Sequence, residues 1–345
     1  MPVTVADLPA FNDIIDVRSP GEFAEDHIPG ARNLPVLDDA ERERVGTLYK
    51  QMSSFEAKKV GAALVSRNIA RHLDTWFADK PKSYRPLVYC WRGGSRSGSL
   101  THVLQQVGFA AVQLDGGYKA YRRHVVAELE RLPARFTYRV VCGPTGSGKS
   151  RLLQALAAAG AQVLDLEALA AHRGSLLGAL PGQEQPSQKY FESGIWFALS
   201  RFDPARPVYV ESESKKIGSR RVPETLIAAM RASACLRLEV PLAARVRLLS
   251  EDYMHFLDDP ETICRQLAYL APLRGNETVA AWQALARRRA WPELVTALLE
   301  QHYDPTYLKS LTQNYAAKAD DRSLRADDLS ADGVRRLAAA ILDVA

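Results

Sequence analysis

The segment Gly143-Pro144-Thr145-Gly146-Ser147-Gly148-Lys149-Ser150 constrains the fold more than any other stretch of the chain. It follows an apolar run, Tyr138-Arg139-Val140-Val141-Cys142, and precedes an Ala/Leu-rich stretch from Ser150 to Ala159. Strand, glycine-rich turn and helix in that order let backbone N–H groups wrap a phosphate at a helix N-terminus. The eight residues satisfy G-x-x-x-x-G-K-[ST] without a mismatch. The glycines permit the tight wrap, Lys149 adds a point charge on the terminal phosphates, and Ser150 offers a hydroxyl to Mg²⁺. The motif predicts affinity for a di- or triphosphate. It does not predict that a nucleotide is hydrolysed.

Further strands are expected at Gln162-Val163-Leu164, Pro207-Val208-Tyr209-Val210 and Leu236-Arg237-Leu238-Glu239-Val240. These make residues 137–300 an α/β unit, mainly helical from about residue 242. Residues 301–345 read as a charge-rich helical tail. In open α/β sheets, ligands gather at the carboxyl ends of strands. Asp165 and Glu211 each follow a predicted strand. The run Glu211-Ser212-Glu213-Ser214-Lys215-Lys216 places charged groups at the same edge, and Arg173 lies in a nearby loop. Asp165, Arg173, Glu211, Glu213 and Lys215 are therefore candidate contacts to a substrate or to Mg²⁺. No CxxC pair suggests zinc, and no permanently bound metal or cofactor is expected.

Residues 1–125 form a second α/β pattern. Asp13-Ile14-Ile15-Asp16-Val17 reads as a buried strand, and Ser19 caps a short helix. A polar helical stretch covers about 39–66. Pro86-Leu87-Val88-Tyr89 is a strand that ends in Cys90-Trp91-Arg92-Gly93-Gly94-Ser95-Arg96-Ser97, with a helix to follow. A cysteine in a glycine-rich loop at a helix N-terminus sits among inward N–H groups and positive potential. Both favour the thiolate, the reactive form. Arg92, Gly93, Gly94 and Arg96 are candidates to hold an anion beside Cys90. The other three cysteines, Cys142, Cys235 and Cys264, are expected to be packed and inert. Asp16 and Arg18 are expected to form a structural ion pair. Residues 126–136, charged and broken at Pro133, are the expected linker.

With 345 residues, the chain has length for about two domains. Its formal charge of +5 suits nucleic acid or phosphorylated substrates. Arg220-Arg221 and Arg287-Arg288-Arg289, with Trp282 and Trp291 nearby, are candidates for RNA backbone contacts and base stacking. The competing account is a solvated helix face. Tyr303, Tyr307 and Tyr315 read as core or interface residues. Scattered cysteines, no leader pattern and no apolar run of about 20 residues point to a cytoplasmic chain without a membrane partner.

Asp16-Val17-Arg18-Ser19-Pro20-Gly21-Glu22-Phe23, His27-Ile28-Pro29-Gly30-Ala31, the Cys90 loop and Leu114-Asp115-Gly116-Gly117-Tyr118 together resemble a rhodanese domain. The second half resembles a P-loop (Walker A) nucleotide-binding domain. Their fusion resembles the tRNA 2-selenouridine synthase family. So do Asp165-Leu166-Glu167, His172-Arg173-Gly174-Ser175 and Glu211-Ser212-Glu213-Ser214. The resemblance implies a transferase whose partner is tRNA carrying 2-thiouridine at the wobble position. It implies geranyl diphosphate and selenophosphate as co-substrates, the latter from a selenophosphate-supplying enzyme. The sulfur would be geranylated, with Gly143, Thr145, Gly146, Ser147, Gly148, Lys149 and Ser150 cradling the diphosphate. Selenium would then replace the geranylthio group, with Cys90 carrying selenium or activating C2. The alternative is a rhodanese-fused small-molecule kinase or NTPase.

Overall fold

The structure, a computed structural model, describes residues 2–175, 178, 182–252 and 259–343. The chain divides into two units. One comprises Met1–Leu129 with Pro186–Phe197, and the other Glu130–Gln185 with Ala198–Ala345.

The first unit is built on a four-stranded sheet. Its strands are β1 (Asp13–Asp16), β2 (Arg32–Asn33), β3 (Pro86–Tyr89) and β4 (Val112–Gln113), in the order β2-β1-β3-β4. All neighbours are parallel. Parallel strands are covered on both faces, so β3 reads as an unbroken buried run. The polar stretch after residue 39 is two helices, Asp39–Gln51 and Ser54–Asp74. Asp38 caps the first by accepting the Glu41 N–H at 2.7 Å, and Ser53 caps the second by accepting the Glu56 N–H at 3.1 Å. The core of the unit gathers Ile15, Val17, Val36, Leu64, Ile69, Val88, Leu100 and Leu104.

Asp16 and Arg18 form the expected ion pair, 2.6 Å apart and almost fully buried. Arg18 also donates to the Asp26 carbonyl at 2.6 Å, and its guanidinium lies 4.0 Å from the Tyr118 ring centroid. Residues 186–197 join this unit from far along the chain. Ser193 Oγ donates to Asp26 Oδ1 at 2.8 Å, Lys189 reaches Glu25 at 2.5 Å, and Trp196 packs edge-on against Tyr121.

The second unit carries a five-stranded parallel sheet of β5 (Tyr138–Cys142), β6 (Gln162–Leu164), β7 (Val208–Glu211), β10 (Ala234–Glu239) and β11 (Arg322–Arg325). Their order is β11-β10-β5-β7-β6. A short antiparallel hairpin, β8 (Lys216–Ile217) with β9 (Arg220–Arg221), follows β7. Leu152, Leu153 and Leu156 of helix Lys149–Ala158 pack with Val334, Ala338 and Ile341 of helix Ala331–Leu342. The tail thus supplies an edge strand as well as helices. A helical cluster centred on Trp282, Leu267 and Leu298 forms a further core.

The expected linker is not extended. Helix Gly117–Arg131 runs into it, a 3₁₀ turn at Leu132–Arg135 follows, and the unit boundary falls between Leu129 and Glu130. Among the described residues no helix is long and apolar enough to cross a membrane.

Candidate active sites

Cys90 stands where β3 ends and is 3% exposed. Its loop leads into helix Ser95–Val107, so the sulfur lies near the positive end of a helix of thirteen residues. Ser97, one helical turn in, donates its hydroxyl toward Cys90 Sγ at 3.1 Å. Gln113 Nε2 donates to Ser97 Oγ at 2.7 Å and to the Gly94 carbonyl at 3.1 Å. The Ser97 oxygen accepts from Gln113, which leaves its own proton for the sulfur or for Gly94.

The loop is clamped from the far side. The Tyr118 N–H donates to the Cys90 carbonyl at 2.8 Å and the Lys119 N–H to that of Trp91 at 3.0 Å. Gly117 makes this approach possible. At φ +56° it passes so close that a Cβ would lie 2.3 Å from the Cys90 carbonyl oxygen and 2.5 Å from the Gly93 nitrogen. Arg92 and Gly94 are exposed at the loop, and Gly93 takes φ +67°. Arg96 is held by Glu22 through bonds of 2.6 and 3.2 Å. Burial pushes the Glu22 carboxyl up, but Arg96, the Ser19 N–H and Arg42 outweigh it and hold the group below its ordinary range.

The second centre sits at the carboxyl end of β5. Gly146 and Gly148 take φ +79° and +78°, and a Cβ on Gly143 would lie 2.4 Å from Ser147 Oγ. Lys149 Nζ donates to the Gly143 carbonyl at 2.7 Å. Ser150 Oγ donates to Glu167 at 2.8 Å. Behind them, the Glu167 N–H donates to Glu211 Oε1 at 3.0 Å, while Glu211 Oε2 is buried with no partner. Ser147 Oγ is likewise buried and unpaired.

The loop opens on a cavity of about 370 Å³. Lys149, Ser150, Glu167, Arg173, Gly174 and Glu213 are among its polar lining residues; Leu248, Leu249, Tyr303, Tyr307, Leu311 and Tyr315 line it too, with His302, Thr306 and Ser310 between the tyrosines. Burial pushes the carboxyls of Glu167, Glu211 and Glu213 up, and nearby acids add to it: Asp165 beside Glu167, Asp165 with Glu213 and Glu167 beside Glu211, and Glu167 beside Glu213. Glu213 is pushed up to about 8, with Lys149 opposing.

Several sequence candidates stand elsewhere. Asp165 caps helix Leu166–Ala170 through the Ala168 N–H at 2.8 Å, and Glu211 is nearly fully buried; neither lines the cavity. Lys215 pairs with Glu224 at 3.0 Å on the surface. Arg220 and Arg221 form β9, and Arg287, Arg288 and Arg289 are exposed, with Arg287 on Glu261 at 2.8 Å. Trp282, expected as a stacking platform, is 1% exposed and donates to Gln301. It belongs to the helical core and offers no face to a base.

Tyr303, Tyr307 and Tyr315, read as core or interface residues, line the cavity. The cavity leucines escaped sequence reasoning because they come from distant helices; Glu167 lies two residues beyond Asp165, in a motif that carries the resemblance without marking which of its acids faces the cavity. Ser97 carried a usable signal, its place one helical turn beyond the Cys90 loop.

The comparisons with known proteins follow the same division. The family model of the rhodanese-like domain matches residues 4–124, and that of the tRNA 2-selenouridine synthase AAA domain matches residues 136–267. The chain is 38% identical to the tRNA 2-selenouridine synthase of Nitrosomonas europaea over 72% of this chain and 64% of that protein, just under two thirds of its length. It is 34% identical to that of Marinobacter nauticus, covering 88% of this chain and 89% of the relative, and 36% identical to that of Bdellovibrio bacteriovorus, with the same coverage. The chain belongs to the tRNA 2-selenouridine synthase family.

Proposed function

We propose that the protein converts 2-thiouridine at the wobble position of tRNA to 2-selenouridine in two chemical steps. In the first, the thiocarbonyl sulfur attacks C1 of geranyl diphosphate. The C–O bond breaks and diphosphate leaves into the phosphate loop. In the second, selenium delivered as selenophosphate takes the place of the geranylthio group at C2. Geranylthiol departs, and phosphate is released by hydrolysis. Alkylation comes first because a thiocarbonyl sulfur is a poor leaving group and an alkylthio group a better one. Cys90 serves the second step, and exposed Arg92 with the loop N–H groups holds the incoming anion.

The observation that carries this reading is the cavity at Gly143–Ser150. Its phosphate-binding residues stand against a wall of Leu248, Leu249, Tyr307 and Leu311. An anion cradle joined to an apolar surface suits an isoprenoid diphosphate, whose two ends need opposite environments. The fold family also associates Mg²⁺ with such a loop. Among the described residues no three acidic, His or Cys side chains form a metal cage. The Ser150 hydroxyl, facing the cavity, fits an ion that keeps most of its shell as water and ligand phosphate oxygens. Such an ion would neutralise diphosphate charge.

Incubation with thiolated tRNA, geranyl diphosphate and selenophosphate, followed by mass spectrometry of the nucleosides, tests the proposal. Geranylated 2-thiouridine should appear without selenophosphate and 2-selenouridine with it. ATP turnover on a small molecule, with no change in the tRNA, would instead establish a rhodanese-fused kinase or NTPase.

A further inference from the structure

The polar stretch after residue 39 folds into a helical hairpin that begins beside the Cys90 loop. Asp39 accepts the Gly21 N–H at 3.0 Å, and Arg42 stands 3.8 Å from Glu22, the carboxylate that holds Arg96. Asn68 Nδ2 donates to Glu41 at 2.7 Å and to the Val36 carbonyl at 3.1 Å, which fixes the returning helix against the start of the first. Helix Asp39–Gln51 is about 20 Å long, so the turn between the helices lies that far from Asp39. Leu64, Val65 and Ile69 of the second helix join the core of the unit. The turn has no such cover. Tyr49, Met52 and Phe55 are 62%, 69% and 66% exposed there.

The outer face of the second helix carries charge of one sign. Between Lys58 and Arg71 every exposed charged side chain is a cation: Lys58, Lys59, Arg67 and Arg71. The exposed positions between them are alanine or serine, whose short side chains leave the strip open to a large partner. Lys59 pairs with Glu56 at 2.8 Å and lies 5.1 Å from the Phe55 ring centroid. Among the described residues Lys58, Arg67 and Arg71 have no acidic partner. Exposed aromatic and methionine side chains alone would suit a protein, but protein interfaces are depleted in lysine. Aromatics joined to an acid-free strip of cations suit RNA, whose unpaired bases offer π faces and whose backbone offers phosphates.

We propose that the helical hairpin of residues 39–74 docks the tRNA, with Lys58, Arg67 and Arg71 on phosphates and Tyr49 and Phe55 stacked on unpaired bases. This rests on the function proposed above, which makes tRNA the substrate. The hairpin starts at the Glu22 and Arg96 pair, so RNA held along it is held by the same unit that carries Cys90.

The test is equilibrium binding of a thiolated tRNA to the full chain, measured by filter retention from low to physiological salt. Tyr49→Ala with Phe55→Ala should weaken binding about tenfold at every salt concentration and leave the salt slope unchanged. Lys58→Gln, Arg67→Gln and Arg71→Gln together should lower the slope of log K against log salt by about two to three, since each phosphate contact contributes about 0.7–0.9. At about 0.1 M salt that is a loss of about a hundredfold or more. Both variants should melt as the parent does, because every altered side chain is exposed. Parental affinity in either variant, or a parental slope in the cation variant, would overturn the assignment. So would a hairpin that leaves tRNA binding untouched yet is needed to receive selenium from a donor protein, which would make it a protein dock. A parent chain that binds no tRNA would instead remove the reading on which it rests.

Discussion

Ser97 Oγ lies 3.1 Å from Cys90 Sγ and accepts a hydrogen bond from Gln113 at 2.7 Å. The sulfur of a buried cysteine thereby has a hydroxyl donor set in place by a second side chain. A hydroxyl aimed at the sulfur can donate to it as it reacts. Ser97→Ala removes the donor and leaves the loop clamps at Tyr118 and Lys119 untouched. A hydrogen bond of about 1 kcal/mol corresponds to a five- to tenfold change. Alkylation of Cys90 by iodoacetamide at neutral pH, followed by mass spectrometry, should slow by roughly that factor with the melting temperature little changed. Unchanged alkylation would show that Ser97 serves only the Gly94 carbonyl.

The two centres should separate genetically. Cys90→Ala should abolish 2-selenouridine while leaving geranylation of thiolated tRNA within about threefold. Lys149→Ala should lose geranylation first. A hydrogen bond to a charged group is worth about 1.5–3 kcal/mol, so geranyl diphosphate should bind some ten- to a hundredfold more weakly in isothermal titration. Equal loss of geranylation in a folded Cys90→Ala protein would refute this division of labour.

Much of the frame was legible because it depends on local chemistry. Both loops announce themselves through glycines that permit tight turns, and β3 and β5 through apolar runs that only a covered parallel sheet accommodates. What stayed hidden depends on distant packing. β11 (Arg-Ser-Leu-Arg) has one apolar residue in four and looks like loop; it becomes a strand because β10 offers an open edge. Residues 186–197 carry no mark of belonging to the first unit, since Ser193 meets Asp26 across 167 positions. The apolar wall of the phosphate cavity likewise comes from two separate helical segments. Trp282 misled because an aromatic near an arginine run has the same local pattern whether it faces a base or a core.

The Asp16–Arg18 pair predicts a stability effect with no direct role in chemistry. Both side chains are almost fully buried, and Arg18 ties Asp16, the Asp26 carbonyl and the Tyr118 ring together. Asp16→Ala would leave a guanidinium buried without its counter-charge, a loss of about 3–5 kcal/mol. Urea unfolding should show a lowered midpoint for the first unit. A change below about 1 kcal/mol would mean that Asp26 and Tyr118 suffice to hold Arg18.

The acids at the phosphate loop make stability depend on pH with a definite sign. Glu213 has its carboxyl raised from 4.5 to about 8, with Glu167 and Glu211 raised as well. The folded state therefore binds these protons more tightly than the unfolded chain does. Their contribution is complete below the unfolded value and is lost as pH rises through the folded value. For Glu213 the window runs from about 4.5 to about 8. Without ligand, the second unit should melt at progressively lower temperature across that range. Glu213→Gln cannot ionise, so it should flatten the slope. It should match the parent near pH 5 and exceed it near pH 8.5 by on the order of 1–3 kcal/mol, a shift of several degrees. Calorimetric scans of both proteins at matched ionic strength read this directly. Parallel slopes for parent and variant would show that Glu213 gives up its proton at the same pH folded or unfolded, and that the cavity is more solvated than its burial implies.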